Sequence, residues 1–120
     1  MNLEVERRTV GDALVVSVSG EVDLATAEPL REALVAADAE SASGMVIDRQ
    51  RVGFLDSTGI GELVGVHRRL RKSDRPLALV VPEGPIRKIL AITGMDSVLD
   101  LHEDESSAIA ALAMREPGHA

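Results

Sequence analysis

Residues 45–61 read MVIDRQRVGFLDSTGIG, a stretch that begins as a strand and continues as a helix. The continuous apolar run at residues 45–47 is typical of a strand that is covered on both faces or lies in the middle of a sheet. After the polar segment, the apolar residues recur at helical spacing, which predicts a helix that begins near Asp56 or Ser57. Its predicted buried stripe is Ile60, Leu63, Val64, His67 and Leu70.

Upstream of this stretch the sequence predicts a hairpin and a helix. Residues 3–10 and 13–19 are rich in valine and flank Gly11-Asp12, a dipeptide suited to a tight turn because both residues tolerate positive φ. A helical period then starts at Thr26 and ends before the loop at residues 41–44, with Leu30, Ala33, Leu34 and Ala37 on its apolar side.

Downstream, the strand and helix patterns alternate twice more. Residues 77–81 form a second apolar run that ends at Pro82. Pro85 suits the first position of a helix and Gly94 its C-terminal stop, and Ile86, Ile89 and Leu90 are its apolar residues. A brief strand at residues 98–101 and a last helix, capped by Ser106 or Ser107 and burying Ile109 and Leu112, complete the pattern.

The predicted order is therefore ββαβαβαβα, in a single α/β domain with a mixed sheet. Three successive βαβ units give parallel strands whose connecting helices lie on one face, and the hairpin supplies an antiparallel edge. We expect the domain to span residues 1–114 and residues 115–120 to form a flexible C-terminal tail.

Composition narrows the class of function. The 120 residues carry a formal net charge of −7 and contain no cysteine, and Phe54 is the only Phe, Tyr or Trp. The charge speaks against binding to nucleic acid, and the missing cysteines exclude disulfides and thiol chemistry. No apolar signal region or membrane-spanning run is present, so a cytoplasmic location with no membrane association is expected. The histidines lack zinc-ligand spacing, and neither a metal nor a cofactor is expected.

Two polar segments are predicted to lie at the carboxyl ends of neighbouring strands, where ligands and partners of α/β sheets tend to bind. They are residues 20–23 (GEVD) and residues 54–61 (FLDSTGIG), and we expect them to be close in space. A helix that starts near Ser57 offers free N–H groups and a positive dipole end to a phosphate. Asp23 either caps the first helix or contributes to a partner surface.

The three glycines in the first turns of this helix have two interpretations. Gly59, Gly61 and Gly65 either allow close packing against the sheet or leave the surface open to something that binds there. Each glycine costs roughly 1 kcal/mol of helix stability relative to alanine, so a compensating role is expected. From the local residues alone, a simple cap by Asp56 or Ser57 is the more common reason for such a helix start.

Taken together, these residues resemble the STAS domain, specifically the bacterial anti-sigma factor antagonists. The match runs through residues 16–23, 46–48, 52–61 and 89–95, and its most specific part is the F-x-D-S-T-G-x-G stretch. The family's phosphoacceptor is the serine directly after the aspartate, which is Ser57 here. One departure is the segment at residues 48–51 (DRQR), whose two arginines replace a less basic stretch.

The resemblance implies a phosphorylation switch in a partner-switching system rather than an enzyme. The unphosphorylated domain would bind an anti-sigma factor that is also a serine kinase with a histidine-kinase-like ATPase fold, and so free a sigma factor. Phosphorylation of Ser57 would end the binding, and a serine phosphatase would restore it. The implied partner-binding residues are Asp23, Asp56, Ser57, Thr58, Gly59, Ile60 and Gly61.

Other functions fit the residues less well. The D-S-T-G stretch differs by an inserted residue from the aspartic-protease D-[ST]-G element, and no second copy exists. The Gly59, Gly61 and Gly65 spacing misses the dinucleotide fingerprint by one residue. The alternative that remains is a STAS domain that senses a nucleotide or small ligand at the same helix start, which a thermal shift with ATP or GTP would reveal.

Overall fold

The computed structural model describes residues 3–23, 25–40, 44–55 and 57–113, and within residues 50–58 it describes the backbone alone. The predicted tail at residues 115–120 and the predicted site residue Asp56 lie outside the described residues. The elements, in chain order, are β1 (Leu3–Val10), β2 (Ala13–Val22), α1 (Ala27–Glu40), β3 (Met45–Leu55), α2 (Ser57–Lys72), β4 (Leu77–Val80), α3 (Pro85–Ile92), a 3-10 turn (Met95–Ser97), β5 (Asp100–His102) and α4 (Glu105–Ala113).

The five strands form one mixed sheet in the order β1-β2-β3-β4-β5. β1 pairs antiparallel with β2 through the turn at Gly11, whose φ of 61° is accessible to glycine without strain. Every other neighbouring pair is parallel. The structure confirms the predicted ββαβαβαβα order and the antiparallel edge.

The helices α1, α2 and α3 cover one face of the sheet. Alternate residues of β2 point into this core, as Leu14, Val16 and Val18 do, because successive side chains of a strand face opposite sides. The helices contribute aliphatic side chains to the same core, and these are Leu30 and Leu34 from α1, Leu63, Val66 and Leu70 from α2, and Leu90 from α3. The prediction that the connecting helices share one face is confirmed.

The opposite face is covered by α4. The intervening strand residues Val15, Val46, Ala78 and Val80 form a second, smaller core with Ala108 of this helix. Ile109 and Leu112 are half-buried against that core, as the predicted apolar side of the last helix requires. The two faces of the sheet therefore have very different amounts of helical cover.

Two predicted boundaries near the C-terminal end of the domain were wrong. The strand predicted at residues 98–101 starts later, at Asp100, because Gly94 adopts a left-handed φ of 79° and the following residues form the 3-10 turn. α4 is capped by Asp104 and not by Ser106 or Ser107: the Asp104 Oδ1 accepts the Ser107 N–H at 2.8 Å.

β3 is longer than its apolar run and extends from Met45 to Leu55. Pairing with β2 explains the extension, because the two strands stay paired to their last residues, with two register shifts along the way. Among the helices of the described residues, none is both long and apolar enough to cross a membrane.

Candidate functional site

The two predicted polar segments do lie side by side at the carboxyl edge of the sheet. Val22 of β2 pairs with Leu55 of β3, and Glu21 pairs with Phe54. Paired strands are separated by only about 4.8 Å, so the segment after β2 and the segment after β3 leave the sheet as neighbours. The predicted proximity of residues 20–23 and 54–61 is confirmed at the level of the backbone.

The segment after β2 is held by a small hydrogen-bond network around Asp23 and Thr26. The Asp23 Oδ1 accepts the N–H groups of Ala25 at 2.9 Å and of Thr26 at 3.1 Å. In return, the Asp23 N–H donates to the Thr26 hydroxyl at 2.9 Å, and this hydroxyl donates to the Glu21 carbonyl at 2.7 Å. The network fixes the loop before α1.

This network decides part of the open question about Asp23. α1 begins at Ala27, and the Thr26 carbonyl accepts the Leu30 N–H at 3.0 Å, so Thr26 occupies the cap position. Asp23 shapes the loop that precedes the cap. Its side chain stays half-buried, with part of its surface facing solvent.

The segment after β3 places Ser57 at the first residue of α2. The first N–H groups of a helix have no partner within the helix, and the macrodipole is positive at this end. Thr58 follows within the helix, Gly59 is buried and Ile60 is half-buried. The backbone at the start of α2 therefore favours negative charge.

The glycines of α2 differ from one another. Gly59 is buried, as close packing against the protein core requires. Gly61 and Gly65 are exposed, and apart from the adjacent residues and the backbone of α2 itself, a Cβ built on either would meet no described atom within 4 Å. Burial fits a packing role for Gly59, whereas none of the described residues requires glycine at positions 61 and 65, although each costs about 1 kcal/mol of helix stability.

His67 lies farther along α2 and is half-buried. Burial lowers its pKa, and the positive charges of Arg71 and Arg68 lower it further. A neutral imidazole at the edge of the core is the result, and its partial burial agrees with the predicted stripe of α2. Within the described residues, no group of three or more His, Asp or Glu side chains could hold a metal ion.

Arg49 is a residue whose environment the sequence analysis missed. Alternation along β3 places it on the helix-covered face, two residues after buried Ile47, and only 4% of its surface is exposed. None of the described residues accepts a hydrogen bond from its Nε or Nη1. Burial lowers its pKa to about 10, so the guanidinium stays charged at neutral pH.

The STAS domain is the protein family whose sequence pattern this chain matches, over residues 4–108. The chain belongs to the STAS domain family. Among its relatives is an anti-sigma-B factor antagonist of Staphylococcus epidermidis, which is 32% identical over 103 residues, or 86% of this chain and 95% of that protein. The predicted family is confirmed.

Solved structures agree with this assignment. The crystal structure of an anti-sigma factor antagonist from Mycobacterium paratuberculosis has a TM-score of 0.87 and 30% identity, and the match covers 93% of this chain and 95% of that one. The Bacillus cell fate determinant SpoIIAA, solved in its phosphorylated form, has a TM-score of 0.67 at 22% identity, covering 92% of this chain and 99% of that one. The second likeness concerns the fold alone.

Proposed function

We propose that this chain is an anti-sigma factor antagonist that binds its partner through the carboxyl edge of the sheet and is switched off by phosphorylation of Ser57. The observation that carries the proposal is the position of Ser57 at the first residue of α2, beside the strand end that bears the Asp23 loop. The names of the relatives supply the kind of partner, an anti-sigma factor.

The exposed glycines support a contact surface on α2. Gly61 and Gly65 are four residues apart, so they lie on the same side of the helix, and none of the described residues outside the helix fills the space above them. Without side chains there, the backbone of a partner can approach the helix closely. The surface would comprise the Asp23 loop, residues 56–61 and this glycine side.

The switch follows from charge. A phosphoserine adds about −1.5 to −2 charge and three acceptor oxygens. The dipole and free N–H groups at the start of α2 would stabilise this charge within the domain. Across the interface, the phosphate would add its charge and bulk to those of Asp23 and Asp56, and a closely packed partner would be expelled.

The reaction that sets the switch would be performed by the partner. The anti-sigma factor, a serine kinase with a histidine-kinase-like ATPase fold, would transfer the γ-phosphoryl group of ATP to the Ser57 oxygen, releasing ADP and the hydroxyl proton. A serine phosphatase would hydrolyse the phosphoserine. The antagonist itself would act in the cytoplasm as a binding module and perform no catalysis.

Substitutions at Ser57 test the proposal. Ser57→Ala should keep full affinity for the anti-sigma factor in a calorimetric titration, whereas Ser57→Asp should weaken it at least tenfold, about 1.4 kcal/mol. Ser73→Asp, the same change just beyond the other end of α2, is the matched control and should bind like the wild type. Tight binding by Ser57→Asp would contradict the proposed switch.

A further inference from the structure

On the α4 side of the sheet, three charged side chains from distant parts of the chain meet. Arg8 of β1 donates through Nη2 to the Glu105 Oε1 at the start of α4. The Glu105 carboxyl group also shares a hydrogen bond with the side chain of Asp48 on β3. The cluster therefore ties the first turn of α4 to both an edge strand and a central strand.

The surroundings of this cluster are acidic. It lines an open groove of about 730 Å³ between β1, β2, β3 and α4, to which β2 contributes hydroxyl groups. The charged and titratable groups that face Glu105 or lie next to it are Glu4, Glu6 and Arg8 of β1, Asp48 of β3, His102 of β5, and Asp104 before α4. Among the described residues that line the groove, Arg8 is the one cation.

A hydrogen bond between two carboxyl groups requires a proton, because two carboxylates offer only acceptors and repel each other. The hydrogen bond with Asp48 is the main reason that the pKa of Glu105 is raised above its ordinary value, and partial burial raises it further. The contact with Arg8 opposes both effects without cancelling them.

We propose that Arg8, Asp48 and Glu105 form a proton-dependent latch that holds the first turn of α4 on the sheet. With the proton in place, a hydrogen bond joins Asp48 and Glu105 while Arg8 neutralises the remaining charge. Without it, two carboxylates repel each other in an acidic groove. α4 is the helix that covers this face through buried Ala108 and half-buried Ile109 and Leu112, and the latch adds a polar attachment at its first turn.

The direction of the pH effect follows from the raised pKa. The folded protein binds the proton more tightly than the unfolded chain, so the stabilisation is fully present below the ordinary glutamate pKa of about 4.5. It is lost as the pH rises through the higher pKa of the folded state. The latch loosens towards neutral pH.

The latch is tested by measuring the hydrogen-exchange protection of the α4 amides between about pH 4 and about pH 7. The α2 amides provide the reference. In the wild type, the protection of α4 should fall several-fold as the pH rises. Glu105→Gln, whose amide can donate to Asp48 at every pH, should give constant protection. Glu103→Gln removes a carboxylate outside the cluster and should behave like the wild type.

Three results would overturn the latch. The first is wild-type protection of α4 that does not change with pH, and the second is a Glu105→Gln variant that shows the same pH dependence as the wild type. The third is a titration of the Glu105 carboxyl carbon by NMR that gives a pKa at or below the ordinary value, a measurement that requires no variant to fold. Asp48→Asn should return that pKa towards the ordinary value.

Discussion

The two ends of the layer formed by α1, α2 and β3 differ in how their residues affect stability. At the amino edge of the sheet, the end of α2 is closed by an ion-pair cluster in which Asp38 of α1 lies 2.7 Å from Arg75 and 3.2 Å from Arg69. Arg75 also donates to the Asp38 carbonyl at 3.1 Å, and the nearby Leu70 is completely buried. These ion pairs join α1 to the end of α2, although the Asp38 Oδ1 and the Arg69 Nε make no hydrogen bond within the part of the chain that the structure describes.

At the carboxyl edge, the same layer keeps features that lower stability. Arg49 comes directly after Asp48, which pairs with the last residue of β4, and its buried guanidinium leaves Nε and Nη1 without hydrogen-bond partners among the described residues. Gly61 and Gly65 weaken α2 where no packing requires a glycine. Such departures tend to occur where a protein binds something, because selection there acts on function as well as on stability.

The largest expected change in the free energy of unfolding is at Arg49. Arg49→Met should raise the free energy of unfolding by about 3 kcal/mol, because it removes a buried charge whose Nε and Nη1 have no hydrogen-bond partner among the described residues and keeps much of the side-chain volume. Urea denaturation measures the change. Arg68→Met, on the exposed side of α2, is the control and should change stability by less than about 0.5 kcal/mol. A destabilised Arg49→Met protein would contradict this account of the carboxyl edge.

At the amino edge, we expect a substitution to lower the free energy of unfolding. Asp38→Ala should lower the free energy of unfolding by about 2 kcal/mol, since it leaves Arg75 and Arg69 without their carboxylate in a partly buried site. Thermal denaturation at low and high salt measures the loss. Glu28→Ala removes the exposed pair with Arg31 and provides the control, with an expected loss below about 0.5 kcal/mol. Equal losses for the two variants would mean that the Asp38 cluster does not hold the helices together.

The smallest effect on stability is the most informative about binding. Gly61→Ala and Gly65→Ala should each raise the free energy of unfolding by about 1 kcal/mol and still weaken binding to the anti-sigma factor. Asp74→Gly is the control, because Asp74 has a left-handed φ of 58° and lies just beyond the C-terminal end of α2. This substitution should leave the affinity for the anti-sigma factor unchanged. Alanine variants that are more stable and bind as well as the wild type would remove the glycine side from the contact surface.

Most of the fold could be predicted because its signals are local. Valine-rich strands, the turn at Gly11, Pro85 at a helix start and Gly94 at a helix stop each act within a few residues. The length of β3 could not be predicted in the same way, because its polar half is ordered by pairing with β2. The cap of α4 was missed because Asp104 and the two serines after it are all good capping residues.

The site could be predicted only in part. Chain order and strand polarity suffice to bring the Asp23 loop and the start of α2 together, and the structure confirms this. The burial of Arg49 could have been inferred from period-two alternation with Met45 and Ile47, but charge alone suggested an exposed residue. The meeting of Arg8, Asp48 and Glu105 depends on which face α4 covers, and no local pattern determines that.

Phosphorylation at Ser57 and its effect on binding test the central claim most directly. The wild type is incubated with ATP and candidate anti-sigma kinases from the same genome, the modified residue is located by mass spectrometry, and the affinity of both forms for the kinase is measured. The account predicts one phosphoryl group on Ser57 and roughly 100-fold weaker binding of the phosphorylated form, about 2.7 kcal/mol. Modification at another residue, or equal affinity of the two forms, would contradict it.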